Sequence, residues 1–196
     1  MKYIKDQGSA MLHSCISMMM LILAILATVC VQNLNVAFVV KTQIENDLEL
    51  ANLSAATIDI PYYSDTGVFA ITQTEQAYND FAEVFGTNMS LEKTAVNQWK
   101  PIQNSCYDGV IAQISVCNFI VYNIEENDVI IRYYNADTGS VREEIQRNGN
   151  GSLLTPDGAV VTSPTVYSAV SVILELYGGL TQTITRENTV AVTIER

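Results

Sequence analysis

One histidine, four cysteines and an excess of acids limit the chemistry open to this chain. His13 lies inside an apolar run. No histidine further along can therefore serve as base to a serine or cysteine nucleophile, or as a metal ligand. Cys15 and Cys30 share that run; fifteen residues of helix would hold them about 22 Å apart, too far for a bridge within one chain. Cys106 and Cys117 are the other two. In an oxidising compartment a bridge between them would close a short loop and contribute about 3 kcal/mol in the chain-entropy model; the alternative is two free thiols. Their spacing, with no histidine near, is a poor zinc site. Asn135-x-Asp137-x-Gly139 has two oxygen donors and the glycine of a calcium loop but neither the other ligands nor the distal glutamate, and reads as a solvated hairpin turn. There is no phosphate-binding glycine loop. Two carboxylates that meet only in the fold leave no spacing signature. Without such a pair the motifs assemble no active site, so a non-enzymatic protein with no catalytic residues, no metal and no cofactor is expected.

Charge narrows the partners. The 196 residues carry 10 Lys and Arg against 21 Asp and Glu, a formal net charge of -11. From Gly8 onward the balance is 8 basic against 20 acidic residues, a net charge of -12, because Lys2, Lys5 and Asp6 precede it. A surface this acidic repels phosphates, so nucleic acid is excluded as a default partner. Asn52, Asn88 and Asn150 each begin an Asn-x-Ser sequon, which permits glycosylation in a suitable host.

The elements that would position a site begin with a membrane segment. Gly8–Val40 contains no Lys, Arg, Asp or Glu, and its densest part is Ala10–Val31. Twenty-two residues of helix at about 1.5 Å each cross a hydrocarbon core of roughly 30 Å. The run is apolar all round rather than along one stripe, which argues against a buried helix of a soluble protein. It lacks a well-spaced A-x-A-like cleavage site behind it, with Ala27-Thr28-Val29 a weak candidate, so a retained anchor is favoured over a cleaved signal. Lys2 and Lys5 then predict a cytoplasmic N-terminus and an external C-terminal bulk. The division predicted is a basic leader over 1–8, a transmembrane helix over 9–31, an amphipathic helix over 32–60 and an acidic ectodomain over 61–196.

Past the anchor no Gly or Pro intervenes until Pro61. Ile44, Leu48, Ala51, Ala55 and Ile58 recur at helical steps, while Lys41, Glu45, Asp47 and Glu49 mostly fall elsewhere. This predicts one apolar stripe for packing on a sheet or on neighbouring helices, kept backward through Ala37 and Leu34. Taken with the anchor, the helix runs from about Ala10 to Asp59, roughly 75 Å. Small and polar residues within it, such as Ser14, Ser17, Ala24, Ala27 and Thr28, would permit close approach of a second helix.

The opening MKYIKDQGSAM, with two lysines and then Gly8 before the apolar helix, resembles a short prepilin leader. KTQIENDLELANLSAAT resembles the stretch that follows the anchor in TadE/TadG-like pilus-assembly proteins, with a weaker echo in the terminal ITRENTVAVTIE. The resemblance implies that a prepilin peptidase cuts after Gly8 and leaves Ser9 as the new N-terminus. It also implies that the helix packs with other pilin-like subunits or with copies of itself. Such pilins usually carry Glu five residues after the cut; His13 occupies that position here. The departure points to a minor or assembly-associated subunit rather than a major, self-polymerising pilin.

The ectodomain reads as α+β, pilin-like in order: long helix, short helix, antiparallel sheet. Pro61-Tyr62-Tyr63 should end the long helix and Ser64–Gly67 should form a turn. A second helix is predicted over Thr74–Phe85, capped by Thr74 and ended by Gly86, with Ala77, Phe81, Val84 and Phe85 inward. VCNFIVYNI, DVIIRYY and SVREEIQ predict a three-stranded meander. VYSAVSVILELY, LTQTIT and TVAVTIE predict further strands, the last two joined by a turn at Arg186-Glu187-Asn188. The expectation is a membrane-anchored surface protein that assembles through its N-terminal helix. The lipid bilayer is an expected partner; the alternative is a monomeric anchored binding module, for which the helix is only a tether.

Overall fold

A computed structural model of the chain describes the backbone of residues 2–192 and the side chains of residues 11–192. The fold is α+β. Helix α1, Lys2–Ala55, has 54 residues and is therefore about 80 Å long. It ends four residues short of Asp59, because Asp59 starts a helix of its own. Its carboxylate accepts from the Tyr62 N–H at 3.0 Å and caps α2, Ile60–Thr66. Pro61 thus lies at the second position of a helix, where a missing N–H costs nothing, and Gly67 closes α2 in the left-handed conformation at φ 70°. The expected stop and turn over 61–67 is this short helix.

Helix α3 spans Thr74–Asn88. Gln73, not Thr74, is at its N-cap, and Gly86 is a buried position inside it rather than its stop. Ala77, Tyr78, Phe81 and Phe85 point inward, with Val84 only partly buried.

Among the described residues seven antiparallel strands form one sheet: β1 Leu91–Ala95, β2 Gln98–Pro101, β3 Ile111–Glu125, β4 Asp128–Asn135, β5 Ser140–Gln146, β6 Thr165–Leu176 and β7 Leu180–Ala191. β1 and β2 fall in a stretch where no strand was predicted. β7 is one unbroken strand. Arg186, Glu187 and Asn188 pair with Val170, Ala169 and Ser168 of β6, so the expected turn there is absent. The hairpin turn is at Gly178 and Gly179 instead, with φ of 88° and 75°, values that favour glycine. Residues 193–196, the end of the predicted last strand, lie outside the described residues.

β3 is the spine of the sheet. One of its edges pairs with β6 from Ile111↔Leu174 to Tyr122↔Thr165. Its other edge is shared: β2 takes Ile114 and Ser115, and β4 takes Ile120 to Glu125. Alternation along the strands divides the apolar residues between two faces. Phe119, Val121, Val166, Val170 and Val172 meet α1 and α3. Ile120, Tyr122, Val129, Tyr167 and Ala169 form a smaller core, covered by Leu153 and Val161 of the loop between β5 and β6.

Candidate functional site

Helix α1 has two halves in different surroundings. Between Val40 and Ala55 its stripe is built into the head. Ile44, Leu48, Ala51 and Ala55 are fully buried against a core that includes Phe81, Phe85 and Val170, and Val40 joins them. Ile58 belongs to the same core, partly buried, but lies beyond the end of α1. One acid breaks the expected division of faces: Asp47 is on the buried side, only 3 % exposed. It is three residues after Ile44, the other step that keeps a helical face. Gln43 Nε2 donates to its carboxylate at 3.0 Å. Burial raises its pKa above the ordinary 3.8, and that hydrogen bond opposes part of the rise. Nearby, the Tyr107 hydroxyl is pushed up to about 12, first by burial and then by Cys106 and Asp47.

Below Val40 the head covers little of the helix. Met11, Ile16, Leu21, Leu26 and Phe38 are all exposed, Met11 to 73 % and Phe38 to 69 %. This part of α1 is long and apolar enough to cross a membrane. Leu34, expected on the buried stripe, faces outward, while Ala37 is half-buried against the core. Ser14, Ser17, Ala24, Ala27 and Thr28 are exposed as well, and the Thr28 hydroxyl donates to the Ala24 carbonyl at 2.8 Å. Gly8 and Ser9 are helical in backbone; their side chains lie outside the described residues.

Polar contacts fasten the β6–β7 hairpin along α1. The Asn33 amide accepts from the Tyr177 N–H at 2.8 Å and donates to the Tyr177 carbonyl at 3.3 Å. Glu45 stands 3.3 Å from Arg186 and 3.9 Å from Lys41. Asn52 donates to both the carbonyl and the side-chain oxygen of Asn188. Asn52 is fully buried, so of the three sequons only those at Asn88 and Asn150 have an exposed asparagine.

The cysteine bridge does not form: Cys106 and Cys117 are both exposed free thiols. The reason is the strand between them. The Ile111 N–H donates to the Tyr107 carbonyl at 3.0 Å, which keeps Cys106 near the start of β3. Six residues of strand then carry the chain about 20 Å to Cys117, far beyond the Cα separation a disulfide spans.

Residue composition gave no hint of a groove at the split edge of β3. Between its pairings with β2 and β4, Val116–Phe119 meets neither strand on that edge, and a bulge falls between Val116 and Asn118. The opening, about 460 Å³, is lined by Tyr78, Asn97, Asn118, Tyr134, Asp137 and Arg142, among others. Tyr78 donates to Asn97 at 2.9 Å, and Asn97 donates to Asp137 at 2.9 Å. Asn135 accepts from the N–H groups of Asp137 and Thr138, so the calcium-like motif forms an Asx turn at the groove's rim. Among the described residues no group of three or more His, Cys, Asp or Glu could hold a metal ion.

Compared with known proteins, the chain matches no family model, no curated protein and no solved structure.

Proposed function

We propose that this chain is a pilin-like, membrane-anchored surface protein that works by assembly, with its N-terminal helix packing against other pilin-like subunits or copies of itself in the bilayer. One observation carries the reading: a single helix is apolar and largely uncovered from Met11 to Val39 and is part of the head's core from Val40 to Ala55. Exposed apolar surface on that scale is buried by lipid or by protein. Because the helix enters the head without a break, force or displacement on the uncovered half reaches the head directly. The leader-like MKYIKDQG and the TadE/TadG-like stretch after the anchor support the same reading, with a prepilin peptidase acting after Gly8 and the acidic head outside the cell.

Cysteine crosslinking in native membranes tests assembly. Cys15 and Cys30 lie on the uncovered half, so in a Cys106→Ser, Cys117→Ser background, which removes the two exposed thiols of the head, oxidative or short bifunctional crosslinking should give intermolecular adducts that Cys15→Ser with Cys30→Ser abolishes. Monomer alone would favour the tethered binding module. Intact-mass measurement tests processing: the purified chain should be lighter by residues 1–8 and begin at Ser9, and a full-length N-terminus overturns that step.

A further inference from the structure

The turn between β6 and β7 is tied to α1 where the apolar run gives way to Gln32, Asn33 and Asn35. Asn33 lies two residues past Val31, so the turn is held about 3 Å along the helix axis from the end of the apolar segment. From Leu176 through Thr183 there is no charged residue. The turn exposes two large side chains, Tyr177 at 59 % and Leu180 at 61 %. A tyrosine beside an aliphatic side chain at headgroup depth suits the boundary between acyl chains and water, since the ring is apolar and its hydroxyl prefers a wet partner.

We propose that the β6–β7 turn is a second membrane contact, with Tyr177 and Leu180 seated at the headgroup–acyl boundary of the leaflet from which α1 emerges. The proposal rests on the reading of α1 as an anchor. A lone helix leaves its head free to rock about the point of emergence; a second contact, fixed to α1 through Asn33, holds the head in one orientation. The occupant is lipid rather than a second copy of the chain, because the depth of the turn is set by the span itself. Glu175 and Asp108 line the groove beside the turn, and the acids of the chain outnumber its bases after Val40, so the contact is apolar and suits a zwitterionic surface better than an anionic one.

The test uses the full chain in phosphatidylcholine vesicles carrying lipids brominated on the upper acyl chain. Trp99, the sole tryptophan, is buried in the head and provides the background. Tyr177→Trp should add blue-shifted emission, about half of it quenched by the brominated lipid, as for a tryptophan at the interface. Asn33→Ala in that background should weaken the quenching. Leu23→Trp, within the span, reports the anchor independently. Quenching at position 23 but not at 177, with position 177 open to an aqueous quencher, overturns the proposal and leaves the anchor standing. Shielding of position 177 from both quenchers overturns it in favour of a neighbouring chain. Absence of quenching at both positions overturns the anchor and the proposal together.

Discussion

The two halves of α1 obey the same backbone geometry and carry opposite side-chain patterns. Over 11–35 large apolar residues face every direction and remain almost wholly uncovered, before Val36 and Ala37 begin to meet the core. Over 40–55 the buried apolar residues keep to one stripe, while Glu49 and two leucines, Leu50 and Leu53, face outward. Helix propensity is similar in both, so the difference lies in the solvent each half was built for. A uniform apolar surround belongs to lipid; a stripe belongs to an interface between protein and water. That one helix carries both means that the uncovered apolar segment and the core meet without a linker.

The sharpest way to break this comparison is to remove the same atoms from each half. Leu48→Ala, in the buried half, should destabilise the head by about 3 kcal/mol. Leu23→Ala should change it by less than about 0.5 kcal/mol; denaturant titration followed by Trp99 fluorescence reads both. Equal losses would mean that the uncovered half also packs on the head. Next in size is Asn52→Ala, which leaves the Asn188 carbonyl and side chain without their donor and should cost about 1–2 kcal/mol by the same titration.

Asn33→Ala tests the seam between the halves. It should leave global stability within about 0.5 kcal/mol while the Tyr177 amide exchanges its hydrogen several-fold faster. The smallest effect concerns pH. Asp47 has a pKa raised by burial, so the folded state holds its proton more tightly than the unfolded state does. Its contribution therefore favours folding below 3.8 and declines as pH rises through the raised value. Asp47→Asn should remove that decline. The difference in denaturation midpoint between variant and parent should grow from about pH 4 to about pH 7; a constant difference would mean that Asp47 is not desolvated.

The buried stripe was legible because Ile44, Leu48, Ala51 and Ala55 recur at the steps of 4, 3 and 4 that keep one helical face. The meander was legible from alternation and turn residues. What escaped depended on partners distant in sequence. Arg186-Glu187-Asn188 reads as a polar turn, yet Arg186 faces Glu45, Glu187 accepts from the Tyr167 hydroxyl at 2.7 Å, and Asn188 accepts from Asn52. Each polar group is met by another element, and the strand continues. Pro61 reads as a stop because its role as an early helix residue needs the Asp59 cap. The groove along β3 has no sequence signature, since it arises where two strands divide one edge.

The continuity of α1 also governs how the head could be shed. Val40–Ala55 supplies one layer of the core, so a protease freeing an intact head would have to cut before Val40, and on the anchor reading within 32–39. The β6–β7 hairpin lies against that stretch at Asn33. A cut nearer Pro61 would bare the apolar face of the sheet, and the liberated fragment should precipitate rather than circulate.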